Sequence, residues 1–531
     1  MLLEETTEIN VVNKKEEDKF FVAATCGHKE VVLQCILKEF CDIDLQDDEG
    51  WTALMLATHE GHIDIVDILI SQNCNMNLQN NYGSTALMLA SRRGNDDIVD
   101  LLSTHKCNMD LRDSNGETAF MIAVRYSRTD VVNTLIHHNC NQDLQDNTGG
   151  TALMIAAFKG QKYIIDALLS KKSNLDIQNK NGETALMLVA LSRRLDADEI
   201  YHNLHYYLHS EENRDFYPTS FIYWHEPGVD YRILYPGGPP PHPGPPYYTD
   251  LIDDFSYDRK SIINVLAKHN CNLDLRDNKS YTALMWAVRM KHEDIVEALL
   301  ANNCNTDLMN YYGENALMIA VRKHYGSIAY MLLAHNCNAD LQGYAGNTAL
   351  MIATRNGLKY IVDMLLAHNC NMDLQDDDGN TALMLAINAG HNDIIDALIR
   401  HKCNLDMHNF AGWTALMCAA NKGDKDVVEK LIRHKCNMKL HNYNGKTALM
   451  ISKDKNHVEI VAFIENQLRR NLNWDRRKAL MLVLATGRVR VRRRVVQTPV
   501  IKQRVDDAAL TTSSEKVLCD TFLLQHIMSY I

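Results

Sequence analysis

Hydrophobic residues along this chain follow helical spacing in two short runs within a unit that recurs many times. In one such unit, residues 151–184, apolar residues at helical spacing (Leu153, Met154, Ala156 and Ala157) suit a helix packed closely on both sides, and Gly160 ends it. A second apolar run covers residues 163–169, and a polar turn at residues 179–182 precedes the next unit. The pattern predicts a helix, a turn, a second helix and a projecting β-turn.

The unit recurs with an exact period of 33 residues. Thr-Ala-Leu-Met, or a near copy, starts at residues 52, 85, 118, 151 and 184, and again at 282, 315, 348, 381, 414 and 447. The Thr that opens a copy is suited to cap the first helix, and Asn139, at the end of a second helix, is suited to a left-handed C-cap. Such a period indicates units stacked in a line, which present a long surface and no enclosed pocket.

These units resemble the ankyrin repeat in length and in the order of their parts. The family's Thr-Pro-Leu-His is Thr-Ala-Leu-Met here, its Gly-His survives as Gly61-His62 and Gly390-His391, and its Gly-Ala-Asp appears as Asn-Cys-Asn. The resemblance covers about residues 18–470, and repeats of this Thr-Ala-Leu-Met type look like those abundant in large DNA viruses. It implies an all-α solenoid of about twelve helix-turn-helix units with projecting β-turns, whose first and last copies are degenerate.

One repeat is interrupted. Between residues 184 and 282 the spacing is 98 residues instead of 33, an excess of 65, and nine of the ten prolines lie in this stretch. Thr184 opens a first helix and residues 261–271 supply a second helix and its cap, so the insertion is predicted at the turn between them. We therefore expect an N-terminal tail (1–17), two repeat blocks (18–191 and 258–470) around a proline- and tyrosine-rich insert (192–257), and a basic C-terminal tail (471–531).

The resemblance implies that a partner protein binds in the groove between the first helices and the turn tips. Seven positions after the start of a copy stand His59, Arg92, Arg125, Phe158, Arg289, Arg322, Arg355, Asn388 and Asn421, with Arg93, Lys159, Lys323 and Lys422 beside them. The aromatic residues at the tips are Trp51, Tyr82, Tyr281, Tyr311, Tyr312, Tyr344, Phe410, Trp413 and Tyr443. A basic line in an acidic protein predicts a partner with an acidic segment, anchored by aromatic side chains. The alternative is a solvated basic face with aromatic residues that pack only within their turns.

Two sequences outside the repeats match short recognition motifs. Pro245-Pro246-Tyr247-Tyr248, in a stretch expected to be polyproline-like, matches the Pro-Pro-x-Tyr ligand of WW domains, and its alternative is a plain loop. The last fifteen residues, 517–531, place Leu523, Leu524, Ile527 and Ile531 on one side of a helix and resemble part of an F-box-like module. That resemblance implies docking on the adaptor of a ubiquitin ligase, with the chain as substrate receptor. The alternative is a simple helix packed on the last repeat.

Two further features of the tail are predicted. Residues 473–485 have the composition of a separate helix that closes the core, and residues 488–496 alternate arginine with valine. The arginine run is typical of a nuclear address or of a nucleic-acid-binding segment. The alternative is an exposed linker.

Charge and composition restrict the function. The formal charge is −12, which argues against nucleic-acid binding by the whole chain, although residues 476–504 alone carry ten basic and no acidic residues. The repeats contain no nucleophile–base set and no phosphate-cradling glycine loop, so the sequence predicts a binding protein with no catalysis, cofactor or small-molecule substrate. With no secretory signal and no apolar run of membrane-spanning length, we expect a cytoplasmic protein, or a nuclear one through the basic tail.

Ten of the fourteen cysteines follow the repeat period, from Cys41 to Cys140 and from Cys271 to Cys436. Equivalent positions on stacked repeats are about 8–10 Å apart, beyond disulfide reach, so these cysteines are predicted to be buried free thiols. Histidines stand two residues before many of them, but such pairs spread along a stack do not converge on one metal ion. We therefore expect no metal site.

Overall fold

The computed structural model describes residues 18–37, 42–192 and 259–485. They fall into two compact units, Met1–Asn371 and Met372–Ile531, which are treated separately below. Within the described residues the secondary structure is helical, with only two isolated β-bridges, His408 to Thr414 and His441 to Thr447. The predicted all-α class is confirmed. None of the described helices is both long enough and apolar enough to cross a membrane.

The helices come in pairs at the predicted period. In unit 1, repeat 1 has a helix over residues 18–26 followed by Lys29–Leu37. Repeats 2 to 5 are Ala53–Glu60 with Ile63–Ser71, Ala86–Arg93 with Asp96–Thr104, Ala119–Arg125 with Thr129–His137, and Ala152–Lys159 with Lys162–Leu169. Repeats 6 to 9 are Ala185–Leu191 with Arg259–Lys268, Ala283–Arg289 with Glu293–Ala301, Ala316–Arg322 with Gly326–Ala334, and Ala349–Arg355 with Lys359–Ala367. In unit 2, repeats 10 to 12 are Ala382–Ala389 with Asn392–Arg400, Ala415–Lys422 with Lys425–Arg433, and Ala448–Asp454 with Val458–Ala485.

The predicted caps set the ends of these helices. The Thr118 hydroxyl accepts a hydrogen bond from the backbone amide of Met121 at 3.3 Å, and Asn315 replaces Thr in the same role in repeat 8, with Met318 as donor at 2.9 Å. At the other end, Asn139 has a left-handed φ of 59°, as predicted. Lys takes the same left-handed position in some repeats, as at Lys106 with φ 62°.

The core of each unit lies between successive helix pairs. From repeat 2 onward each first helix packs on the first helix of the next repeat, and each second helix packs on the next second helix, within unit 1 and within unit 2. The Ala-Leu-Met segment supplies this core, since Ala119, Phe120 and Met121 are at most 2% exposed. The cysteine prediction is confirmed in the described residues. The twelve cysteines found there are free thiols, buried except for Cys26.

The β-turn tips stack on one another through backbone hydrogen bonds. In repeat 5 the amide of Asn147 donates to the carbonyl of Asn115 in repeat 4 at 3.0 Å. The segment leading to each tip adds a second bond, as where the amide of Asn108 donates to the Asn77 side chain of the preceding repeat at 2.7 Å. These bonds recur with the repeat period and hold adjacent turns in register.

The interrupted repeat keeps all of these contacts. Helix Arg259–Lys268 packs on Ala185–Leu191 of its own repeat and on the second helix of each neighbouring repeat. The amide of Asn278 donates to the carbonyl of Asn181 at 2.9 Å, which is the usual tip-to-tip bond across 65 additional residues. Arg259, which is only 5% exposed, donates to the carbonyl of Ser192 at 2.6 Å and joins the two edges of the interruption. The stack therefore continues through repeat 6 as though the chain were unbroken.

The end of repeat 12 differs from the prediction. The sequence suggested a separate helix over residues 473–485, whereas the structure has one continuous helix, Val458–Ala485. The cause is local, because Leu468-Arg469 replaces the Asn-Cys or Lys-Cys pair that follows most other second helices. The predicted boundary between residues 470 and 471 thus falls inside this helix.

Candidate partner-binding face

The predicted basic residues form a strip on the first helices of unit 1, which Leu191 and Ser192 interrupt in repeat 6. We call the inner strip the residues seven and eight positions after the start of each repeat. Arg93 Nη2 lies 2.7 Å from His59 Nε2 of the preceding repeat, and Arg92 Nη2 donates to the hydroxyl of Tyr126 in the next repeat at 2.9 Å. The Lys159 ammonium donates to the Arg125 carbonyl one repeat earlier. Strip residues of repeats 2 to 5 therefore contact one another directly.

Several strip residues contact the residue that precedes the opening Thr of the same repeat. Glu117 forms an ion pair with Arg125 in repeat 4, and Glu314 accepts from Arg322 Nη2 at 2.7 Å in repeat 8. Trp51 lies edge-on to His59 in repeat 2, with ring centroids 5.7 Å apart. The contact therefore forms with pairs of different chemistry, an ion pair in repeats 4 and 8 and an aromatic pair in repeat 2, across the same eight-residue spacing.

Sequence inspection missed these pairs, although the eight-residue spacing of Glu and Arg was there to be seen. Their consequence is electrostatic, because a carboxylate cancels part of the charge that Arg125 and Arg322 bring to the strip. Arg93, Lys323 and Arg355 are exposed and carry their charge at the strip surface. The predicted basic line is therefore present, but its positive charge differs from repeat to repeat.

In repeats 4 and 5 the basic residues Arg125 and Lys159 lie next to each other. Burial, followed by the nearby positive charge of Arg125, lowers the pKa of Lys159 to about 8. The half-buried His59 also has a lowered pKa, chiefly because burial disfavours its charged form, with Arg93 acting in the same direction. An anionic group in the strip would relieve this repulsion.

The turn of repeat 4 is built on a carboxylate that resists ionisation. Asp113 accepts from the amides of Asn115 at 2.9 Å and Glu117 at 2.8 Å, and so places Glu117 beside Arg125. Burial raises the pKa of Asp113 to about 6 in spite of these hydrogen bonds. Asparagine occupies the equivalent position in other repeats, at Asn80, Asn179 and Asn310.

We expect Asp113→Asn to stabilise unit 1 at pH 7. A raised carboxyl pKa means that the folded state holds the proton more tightly than the unfolded state, so this contribution to stability is present below pH 4 and lost as the pH rises through about 6. The asparagine oxygen accepts the same two bonds without a charge. We expect a gain of about 1 kcal/mol at pH 7, discounted for partial exposure, and none at pH 4.

Urea unfolding at both pH values, followed by circular dichroism, measures this difference. The control is Asp48→Asn, which removes an exposed carboxylate from the turn of repeat 2. An equal response of the two variants to pH would contradict the assignment to Asp113.

Repeat 7 departs from the prediction at Tyr281. This tyrosine was expected at an accessible tip, but it is 1% exposed and stacks on Trp286 with ring centroids 4.8 Å apart. Its hydroxyl accepts from Arg289 Nη1 at 3.0 Å, and Asp277 accepts from Trp286 Nε1 at 2.9 Å. Tyr281 is thus part of the core beneath Arg289, and we no longer count it among the partner-contacting residues.

The remaining tip aromatics differ in accessibility. Tyr311, Tyr312 and Tyr344 of unit 1 are 79%, 51% and 81% exposed, and lie on the adjacent tips of repeats 8 and 9. In unit 2, Phe410 and Tyr443 are 65% and 71% exposed on the tips of repeats 11 and 12. The half-buried members of the predicted set are Trp51, Tyr82, Trp413 and, on the strip, Phe158. Each unit therefore offers exposed aromatic rings beside its first helices.

The strip of unit 2 has only two basic residues, Lys422 and Lys455, together with the acidic Asp454. Asn388 and Asn421 are exposed there, and the Lys422 ammonium donates to the Ile387 carbonyl at 2.8 Å, near the C-terminal end of the preceding first helix. The predicted basic residues are therefore concentrated in unit 1.

The histidine–cysteine pairs have ordinary structural roles. His105 Nδ1 and His269 Nδ1 each lie 2.9 Å from a carbonyl oxygen four residues earlier, at the end of a second helix. Burial raises the pKa of Cys140 to about 12, with Asp110 adding to the effect, so the thiol is held protonated. No group of three metal-ligating side chains converges anywhere in the described residues.

Several predicted site residues lie outside the described residues. They are Pro245, Pro246 and Tyr248 of the insert, and Leu523, Leu524, Ile527 and Ile531 of the tail. Their proposed roles stay predictions.

Comparison with known proteins agrees with this architecture. The family model for ankyrin repeats (3 copies) matches residues 1–80, 61–146, 132–200, 255–310, 300–376, 350–440 and 416–497. The chain belongs to the ankyrin-repeat family, and as such it is a protein-interaction scaffold. A mouse protein described as ankyrin repeat and SAM domain-containing protein 6 is 38% identical over 69 residues. That match covers 13% of this chain and only 8% of the length of the mouse protein.

Proposed function

We propose that unit 1 binds an acidic, extended segment of a partner protein along the inner strip, with the exposed tip tyrosines as anchors. The observation that carries this proposal is the series of contacts between neighbouring repeats made by Arg93, Arg92 and Lys159, which places cationic groups of repeats 3 to 5 along one line. Fixed cations cost less entropy on binding than mobile ones, and a basic strip on an acidic protein attracts acidic segments. Tyr311, Tyr312 and Tyr344 supply aromatic surface of the kind found at interface centres.

The test is a binding measurement with the full chain and a fluorescein-labelled peptide of twelve alternating glutamate and leucine residues. We expect the peptide to bind with an affinity that falls as salt rises. The double variant Arg92→Gln/Arg93→Gln should weaken it about fivefold, as expected from about 1 kcal/mol for one half-buried and one exposed charge. Fluorescence anisotropy at several salt concentrations measures both effects.

The matched control is Lys162→Gln/Lys268→Gln, which removes two exposed cations from second helices on the opposite side of the repeats. It changes net charge by the same amount and should leave binding within about twofold. A peptide with glutamine in place of glutamate should bind weakly to every variant. Equal losses for the two double variants would show that net charge alone is responsible and would contradict the strip.

A finer role, substrate receptor for a ubiquitin ligase, rests on the apolar stripe Leu523, Leu524, Ile527 and Ile531. The alternative role, nucleic-acid or nuclear-transport interaction, rests on the arginine run of the tail. The sequence of the tail is the support for both, and the first competes directly with the inference below. The free thiols of the described residues support the proposed cytoplasmic location, since reducing compartments keep cysteines unpaired.

A further inference from the structure

Repeat 12 ends the stack of unit 2 with an apolar surface. Met450 is 50% exposed, whereas the methionine at the same position is at most 2% exposed in repeats 2 to 11. Leu449 and Val461 are half-buried, although their counterparts in the preceding repeat, Leu416 and Val428, are 2% and 0% exposed. We call Leu449, Met450 and Val461 the terminal face.

In the interior repeats the residues equivalent to the terminal face are covered by the next repeat. Met417 of repeat 11 is 1% exposed because helix Ala448–Asp454 of repeat 12 packs on its helix. A terminal repeat normally carries polar residues on its outer side, since nothing follows to cover it. Repeat 12 instead keeps the same Leu, Met and Val that bury themselves elsewhere. Its terminal face is therefore built to be covered.

We infer that residues 517–531 of this chain pack on the terminal face as a helix. They place Leu523, Leu524, Ile527 and Ile531 on one side, which matches an apolar face of one repeat. A helix of fifteen residues is about 22 Å long, comparable to the first helix of a further repeat with its flanking turn. The occupant thus takes the place that the first helix of a thirteenth repeat would have.

The connection favours this segment over a separate protein. Thirty-one residues, 486–516, separate it from the end of helix Val458–Ala485. That helix is about 42 Å long and this linker can extend to about 100 Å, so the segment reaches back to the terminal face easily. Tethering gives the segment an effective concentration in the millimolar range, which no free partner matches in a cell.

The experiment uses the full chain carrying Met450→Cys, whose thiol reports access to the terminal face. Its rate of modification by a maleimide is measured by mass spectrometry at that residue. We compare the unaltered tail with Leu523→Asp/Leu524→Asp, and use Thr511→Asp/Thr512→Asp in the linker as the matched control for charge. We expect the apolar-to-Asp pair to speed modification about tenfold, and the control pair to change it less than twofold.

Hydrogen exchange in helix Ala448–Asp454 of the chain with Met450 intact gives a second readout, because it needs no new thiol. Faster exchange with Leu523→Asp/Leu524→Asp supports the inference. Equal modification and equal exchange with all three tails overturn it. Protection that depends on protein concentration also overturns it, in favour of a second copy of this chain on the face. A terminal face open in every tail, together with binding of a purified ubiquitin-ligase adaptor that the Asp pair abolishes, assigns the stripe to the adaptor instead.

Discussion

Ile263→Ala lowers the free energy of unfolding of unit 1 by about 2–4 kcal/mol, the cost of removing a large side chain from a tight core. Ile263 is fully buried in helix Arg259–Lys268, where the stack resumes after the insert. That helix packs against both neighbouring second helices, so a cavity there weakens the interfaces on either side. Urea unfolding followed by circular dichroism gives the loss.

The variant should also broaden or split the transition, because repeats 2 to 5 and repeats 7 to 9 are coupled through repeat 6. Lys268→Ala, at an exposed position of the same helix, is the control and should change stability by less than about 0.5 kcal/mol. Equal midpoints for the two variants would mean that helix Arg259–Lys268 does not join the halves of unit 1.

Gly412→Ala destabilises unit 2 by about 2–4 kcal/mol, the sum of a strained backbone and a clash. Gly412 has a φ of +78° in the tip of repeat 11, and an added Cβ would lie 2.7 Å from the backbone nitrogen of Tyr443 on the next tip. That nitrogen donates to the carbonyl of Ala411 at 3.4 Å, so the contact between the two tips is displaced.

The comparison that isolates the clash is Gly445→Ala. Gly445 has nearly the same φ, +71°, in the tip of repeat 12, but nothing lies within 4 Å of its added Cβ. It should cost about 1 kcal/mol, the backbone strain alone. Thermal unfolding of both variants measures the difference, and similar losses would show that tip-to-tip packing contributes little.

The repeat architecture could be predicted because each step depends on residues close in sequence. The opening Thr, the left-handed Asn139 and the buried Cys140 are local signals that recur with the period. The split repeat could be predicted too, since both of its halves keep those signals. Because local preferences and stacking agree in such chains, their architecture can be predicted from the sequence.

The candidate face was less predictable because it depends on side chains from different parts of a repeat. Tyr281 has the same sequence position as Trp51 and Trp413, yet Trp286 and Arg289 draw it into the core. The tip of repeat 9 also differs, because Gly343 replaces the usual Asp or Asn and Ala345 takes a left-handed φ of 56°. The long last helix depends on two replaced residues, Leu468 and Arg469. Each of these differences from the common repeat pattern results from one or two substitutions in a single repeat, which the consensus of all repeats does not show.

The interruption in repeat 6 has a consequence for engineering. Its two ends meet where Arg259 contacts Ser192, and the hydrogen bonds between adjacent tips lie at the opposite end of the helices. A foreign reporter or enzyme whose termini are close together could replace the proline- and tyrosine-rich insert at this junction. The foreign domain would then lie beside the inner strip, and the register of the other repeats would not change.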